Sequence, residues 1–187
     1  MSLSEETQAE IGAMVRGGFE DRERIVEIFR EEMYEPGELD PAEVESAVDA
    51  AIAALESEKA SWPAVTDCDK LDRIFDTLNQ RGIVAIQNAG YTQSDGYDDV
   101  MEMHADSENP DANIGYCYFH GQDLERAVAG GGLFLSFGPI DPDKEQTEGA
   151  KVGQVIVGLL QDAGFAVQWP GSFDKRILIA RIDWKRR

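Results

Sequence analysis

The chain has 187 residues, of which 42% are hydrophobic, enough for one domain with its own core. Its 37 acidic and 17 basic side chains give a net charge of −20, which excludes a surface built for nucleic acid because phosphates would be repelled. No run of about 18 apolar residues occurs and the acidic N-terminus does not resemble a signal peptide, so we expect a cytoplasmic protein without a membrane span. The two cysteines, Cys68 and Cys117, are too few for a disulfide framework and are expected to be free thiols.

The N-terminal third is predicted to be helical. A first helix is expected from about Ser4 to Arg16, ended by a glycine pair at 17–18. A second is expected from about Asp21 to Tyr34, with apolar residues at helical spacing. A third begins at Asp40, which suits the N-cap position, followed by Pro41 at the first helical position.

Strand-like segments follow a fourth helix that begins after Thr66 and ends before Gly82. The apolar runs of strand length are 82–89, 113–120 and 132–138, and a helical pattern covers 145–164. "FAVQW" and "RILIARIDW" are predicted to form a hairpin around Pro170-Gly171. The segment 90–112 has no clean period, and only "DDVMEMHA" within it suggests one or two helical turns.

This order of elements predicts an α+β fold. We expect N-terminal helices packed with a mixed sheet of about five strands that ends in a β-hairpin. The predicted division is a helical part, 1–62, and an α+β domain, 63–187, which together form one compact unit. The apolar stripes at 25–33, 44–55 and 71–78 are expected to cover the aromatic faces of the sheet.

The stretch "YCYFHGQDLERA", residues 116–127, holds the candidate chemistry. His120 ends a strand with Tyr118 on its face, and Gln122 and Asp123 follow at the start of a helix, so Asp123 could orient His120 as a general base. Cys117 points to the opposite face of that strand, which argues against a Cys–His nucleophile pair and against a shared metal. We therefore expect no metal, and we expect no cofactor because the glycines at 130–132 lack G-x-G-x-x-G spacing and the sequence contains no Walker P-loop.

The same residues have a structural explanation. His120 closes the strand, while Asp123 and Glu125 lie in the first helical turn, where negative charge suits the helix dipole. The basic "WKRR" at 184–187 is interpreted as a solvated segment or, alternatively, as one that pairs with acidic residues of the helical part.

Three phrases of the second half, "GIVAIQNAGYTQSDG", "GYCYFHGQDLERAVAGGGLFLSFG" and "GFAVQWPGSFDKRILIARIDWKRR", resemble the bacterial family of unknown function DUF6891 over roughly residues 80–187. Relatives in that family carry cysteines near "YTQSDG", where this chain has Thr92, Ser94 and Asp95, so a thiol or metal role there would not carry over. The resemblance implies one folding unit and no particular activity.

Two functional hypotheses follow. The first is a non-catalytic binding or regulatory protein whose acidic surface addresses a basic protein. The alternative is a small enzyme with a pocket built around His120, Tyr118, Gln122 and Asp123. The residues leave the substrate and the oligomeric state open.

Overall fold

The computed structural model describes residues 3–187 and divides them into two compact units. The helical unit comprises residues 3–66 together with 184–187, and the sheet unit comprises residues 67–183. The prediction that both parts form a single compact unit stays a prediction.

The helical unit is built on three helices whose ends follow from local capping. They are α1 (Glu5–Gly17), α2 (Arg22–Glu27), which continues as a π-helical turn (Ile28–Glu32), and α3 (Pro41–Lys59). The Ser4 side chain accepts from the amide of the third residue of α1, and the Asp40 side chain accepts from the amide of the second residue of α3. Gly18 ends α1 in a left-handed conformation, with φ of 75°.

A core of its own lies inside the helical unit. The apolar stripes of α2 and α3 pack against α1, and they bury Phe29, Val44 and Val48 together with Ile11. The stripes at 25–33 and 44–55, which were expected to face the sheet, are thus covered within the helical unit. The helix expected over 21–34 changes to π-helical geometry after residue 27, where the Met33 amide donates to the Ile28 carbonyl.

The sheet unit holds the remaining elements, and it confirms the α+β class and the five strands. In chain order they are α4 (Asp67–Gln80), β1 (Ile83–Ile86), α5 (Gln93–Ala105), β2 (Gly115–Tyr118), α6 (Gly121–Val128), β3 (Leu133–Pro139), α7 (Glu145–Asp162), β4 (Val167–Gln168) and β5 (Ile177–Ile179). The strand order is β1-β2-β3-β5-β4, in which β1 and β2 are parallel and the other neighbours are antiparallel. The antiparallel pairing of β4 with β5 agrees with the hairpin expected at the end of the sheet.

Both faces of the sheet are covered. On one face Cys117 lies opposite Phe137, and the Phe119 ring packs edge-on against Phe75 of α4 at 5.9 Å between centroids. On the other face Tyr116 and Tyr118 stack at 6.0 Å beneath α5. The central strands are apolar on both sides for this reason.

Helix α5 was not predicted as such, since its segment was expected to be mostly irregular. Thr92 and Asp95 form a complete capping box at its start, and the helix runs for 13 residues. Only Gly96 and Val100 are buried along it. A helix held by one glycine and one valine has too thin an apolar stripe to show a period in the sequence.

The first and last residues of the sheet unit are joined. The Asp183 amide donates to Asp67 Oδ2 at 3.1 Å.

None of the helices within residues 3–187 combines the length and the apolar character needed to cross a bilayer.

Candidate functional site

His120 and Asp123 meet at the junction of β2 and α6. His120 occupies the N-cap position of α6, three residues before Asp123. Its Nε2 lies 3.0 Å from Asp123 Oδ2, and the same oxygen accepts a 3.4 Å hydrogen bond from the His120 backbone amide. The structure therefore brings these two candidate residues together.

Arg176 completes the group and was not a candidate from the sequence. Its NH1 donates to both oxygens of Asp123, at 3.0 and 2.9 Å, and lies 3.3 Å from His120 Nε2. Asp123 is 3% exposed and His120 is 4% exposed. Burying a carboxylate without a partner lowers the stability of a fold by roughly several kcal/mol. Arg176 is the cation that offsets this cost for Asp123. We call His120, Asp123 and Arg176 the His120 cluster.

Strand register explains why Arg176 arrives at this place. Tyr118 lies opposite Ser136, and Leu135 lies opposite Ile177. If the antiparallel register of β3 and β5 is continued by one residue, Arg176 lies opposite Ser136. Arg176 is then on the same face of the sheet as Tyr118. Residues opposite one another on antiparallel strands share a face. The cluster thus stands over three neighbouring strands, β2, β3 and β5.

Tyr118 belongs to the same surroundings without entering the cluster. Its hydroxyl donates to the Gln93 carbonyl at 2.8 Å, which ties β2 to the start of α5. Burial raises the pKa of the Tyr118 phenol, and the nearby Ser136 and Arg176 partly oppose that rise. Tyr118 is therefore a neutral hydrogen-bond donor at neutral pH.

Gln122 and Cys117 lie elsewhere. Gln122 is exposed on α6, and its backbone amide donates to the Tyr91 carbonyl at 3.2 Å. Cys117 is fully buried on the opposite face of β2, and burial raises the pKa of its thiol far above the ordinary range. Neither side chain is placed to act together with His120.

The geometry of the His120 cluster suits attachment better than proton transfer. A general base needs one imidazole nitrogen that reaches a substrate or a water. Nε2 faces Asp123 and Arg176, whereas Nδ1 is buried and makes no hydrogen bond within residues 3–187. The cluster attaches α6 to Arg176, the residue directly before β5. Nor does the described part of the chain gather three or more His, Cys, Asp or Glu side chains suited to a metal ion.

A second candidate is an acidic surface on α5 and the chain that follows it. Residues 82–125 contain no Lys and no Arg. Seven carboxylates between residues 95 and 111 are exposed, and the ion pairs within residues 3–187 involve none of them; they are Asp95, Asp98, Asp99, Glu102, Asp106, Glu108 and Asp111. We call this set the α5 acidic surface.

Carboxylates of the helical unit behave differently. Arg16 NH2 donates to both oxygens of Glu58, each at 2.8 Å, and Arg22 donates through Nε and NH2 to one oxygen each of Asp49. The Arg22 guanidinium lowers the pKa of the Asp49 carboxyl. Local cations thus pair with part of the carboxylates of the helical unit, whereas no Lys or Arg within residues 3–187 forms an ion pair with the α5 acidic surface.

Apolar side chains are exposed beside the α5 acidic surface. Met103 is 46% exposed near the end of α5, and Ile114 is 61% exposed just before β2. Their chain neighbours are hydrogen-bonded, since Asn113 Nδ2 lies 3.1 Å from His104 Nδ1. Because these neighbours are in contact, Met103 and Ile114 lie close to each other and to the α5 acidic surface.

These features define an α+β protein with a five-stranded mixed sheet, a buried His–Asp pair bound by the partly exposed Arg176, and an unpaired acidic surface. The chain belongs to the family described as a domain of unknown function, DUF6891, whose model matches residues 2–187. The match includes the helical part, which lies outside the stretch that carried the resemblance. Comparisons with curated proteins and with solved structures gave no match.

Proposed function

We propose that this chain is a non-catalytic binding protein whose α5 acidic surface takes a basic protein partner. The observation that carries the proposal is the set of seven exposed carboxylates between residues 95 and 111, inside a 44-residue stretch, 82–125, without a single Lys or Arg. The partner's chemistry follows from that surface: a segment with several Lys or Arg side chains and a few apolar ones.

Electrostatics and apolar contact have separate roles in such binding. Uncompensated carboxylates raise the local concentration of a basic partner and speed its association, with an effect that salt reduces. Exposed apolar side chains add short-range contact area, and Met is well suited because it adapts to irregular surfaces. Met103 and Ile114 supply that component here.

The same proposal includes the compartment and the kind of partner. Both thiols, Cys68 and Cys117, are free and buried, which suits the reducing cytoplasm of a bacterium. Nucleic acid is not the partner, because a net charge of −20 repels its phosphates.

The enzyme hypothesis has one observation in its favour, the 3.0 Å approach of His120 Nε2 to Asp123 Oδ2. It would need His120 to reach a substrate, and both members of the pair are buried with Arg176 already bound to the carboxylate. The binding function therefore has the stronger support.

Titration of the intact chain with a fluorescent amphipathic peptide of Lys and Leu tests the proposal. One variant combines Asp98→Asn, Asp99→Asn and Glu102→Gln. If each surface charge contributes about 0.5 kcal/mol, the triple variant binds the peptide roughly tenfold more weakly. Raising NaCl should weaken the parent more steeply than the variant.

The matched control carries the same change of charge at exposed carboxylates of the sheet unit outside α5. It combines Asp76→Asn, Asp143→Asn and Asp162→Asn. We expect this control to bind as the parent does to within about twofold, because distant exposed charges are screened. Equal weakening of both variants would show a response to net charge alone and would refute a defined surface on α5.

A further inference from the structure

Residues 184–187 dock on the helical unit as a peptide ligand docks on a receptor. The Trp184 side chain is buried, and its Nε1–H donates to the Gly17 carbonyl at 3.2 Å, where α1 ends. The Arg186 guanidinium lies 4.2 Å from the centroid of the Phe19 ring. Gly18 leaves room for the stem of Arg186, because a Cβ there would lie 3.2 Å from its Cγ and Cδ.

The next residue repeats this pattern at the loop after α3. Arg187 NH2 donates to the Pro63 carbonyl at 2.6 Å, and its guanidinium lies 5.9 Å from the Trp62 ring centroid. One indole is therefore held by a carbonyl, and two guanidinium groups lie over aromatic rings. We call Gly17, Phe19, Trp62 and Pro63 the receptor surface.

We infer that the receptor surface is a recognition site for basic segments with a Trp followed by Arg at the second and third positions, and that residues 184–187 occupy it until a partner protein presents the same chemistry. Trp and Arg are the side chains that carry most binding energy at protein interfaces. A planar guanidinium stacks on a ring and donates in a fixed direction, so Lys does not replace Arg in such a site.

Charge complementarity favours a basic partner on this unit. Residues 3–66 hold 17 acidic and 5 basic side chains, a net charge of −12, while Lys185, Arg186 and Arg187 bring three positive charges to it. Residues 181–187 form neither helix nor strand, so exchange of this segment requires no helix to unwind and no strand to leave the sheet. The receptor surface lies in the helical unit, and the inference does not depend on the α5 acidic surface.

The experiment uses a fluorescent heptapeptide with the sequence of residues 181–187, followed by anisotropy. A variant that lacks residues 184–187 should bind this peptide. The intact chain should bind it at least about tenfold more weakly, because its own segment competes at a high effective concentration. Failure of the shortened chain to bind, with its circular dichroism and cooperative melting retained, would overturn the inference.

Two altered peptides separate recognition from general attraction to an acidic protein. The first carries Trp184→Ala, and the second carries Arg186→Lys with Arg187→Lys, which keeps the charge. Both should bind the shortened chain about tenfold more weakly than the parent peptide. Equal affinity of the Lys peptide would reduce the interaction to net charge and refute a stacked arginine site.

A full-length variant keeps the test valid if the shortened chain does not fold. Arg186→Lys with Arg187→Lys in the intact chain leaves the net charge unchanged and loosens the internal segment, so the parent peptide should bind it more tightly than it binds the parent chain. No gain in affinity would overturn the inference. A concentration-dependent dimer of the intact chain that excess peptide dissociates would overturn the assignment to a partner protein, since the occupant would be a second copy.

Discussion

Gly96→Ala is the sharpest test of how α5 is held on the sheet. In an ordinary helix this change stabilises by about 1 kcal/mol, because alanine has the higher helix propensity. At position 96 an added Cβ would lie 2.5 Å from Tyr118 Cε2 and 2.7 Å from the Ala89 carbonyl oxygen. Real Cβ atoms do not approach so closely, and a backbone carbonyl cannot rotate away, so α5 must shift outward.

The expected magnitude follows from two opposing effects. Overpacking of this kind costs about 1–3 kcal/mol, and the backbone contact puts this site near the upper value. After the propensity gain of about 1 kcal/mol is subtracted, Gly96→Ala should lower the free energy of unfolding by about 2 kcal/mol. At about 4 °C per kcal/mol for a unit of this size, the melting temperature falls by about 8 °C.

Gly158→Ala in α7 is the matched control. Position 158 has open space, with no atom within 4 Å of an added Cβ, so the same substitution should stabilise by about 1 kcal/mol. Urea unfolding followed by circular dichroism measures both variants. Stabilisation of both, by similar amounts, would show that α5 does not rest on Tyr118 and would refute the packing described above.

Four further outcomes are expected. Arg176→Met should lower the free energy of unfolding, measured in urea, by about 3 kcal/mol because it leaves the buried Asp123 without its cation. Lys175→Met removes the same charge from an exposed neighbour and should change the free energy of unfolding by no more than about 0.5 kcal/mol. Similar effects of the two variants would contradict the pairing of Arg176 with Asp123. Hydrogen bonds from Thr92 at the start of α5 lower the pKa of Asp95, so the charged Asp95 stabilises the fold at pH values above the pKa that it has in the unfolded chain. Asp95→Asn should therefore lower the free energy of unfolding at pH 7, and this loss should shrink as the pH falls through the lowered pKa of the folded state. Thiol titration should find Cys117 unreactive in the native chain and reactive in denaturant, and rapid native reaction would argue against its burial. The melting temperature at pH 7 should rise with NaCl because like charges repel at a net charge of −20, and a flat series would mean that local pairing already cancels the repulsion.

The sequence contained the fold class and most element positions because those depend on local signals. Asp40 caps α3 where the N-cap pattern predicted it, and Gly18 and Gly82 adopt positive φ next to the ends of α1 and α4. Turn and cap chemistry acts over three or four residues, so it is visible in a linear sequence.

The candidate site was only half predictable because its third member comes from far along the chain. His120 and Asp123 are three residues apart, and a helix start brings them together. Arg176 is 53 residues from Asp123 and reaches it through the register of β2, β3 and β5, which no local pattern specifies. An arginine directly before an apolar strand was the signal available, and it does not name its partner.

The segment 184–187 was also only partly foreseen. One of its two interpretations was that its basic side chains pair with acidic side chains of the helical part. The contacts that define its docking instead join guanidinium groups to the rings of Phe19 and Trp62 and an indole to a backbone carbonyl. Aromatic residues in loops after helices carry no periodic signal, so their role as a docking surface appears only in three dimensions.

The hydrogen bond between Asp183 and Asp67 has a thermodynamic consequence for docking of residues 184–187. When residues 67–183 are folded, this bond holds the two attachment points of the sheet unit side by side, and the docking segment is tethered close to α3 by a few residues. When they are unfolded, the same docking event must close a flexible loop of 117 residues, at a cost of about 4 kcal/mol from the logarithmic dependence of closure entropy on length. Folding of the sheet unit therefore raises the affinity of the helical unit for residues 184–187, although the sheet unit supplies none of the docking contacts named above. Partial unfolding of residues 67–183 would therefore weaken the docking of residues 184–187 and expose the receptor surface.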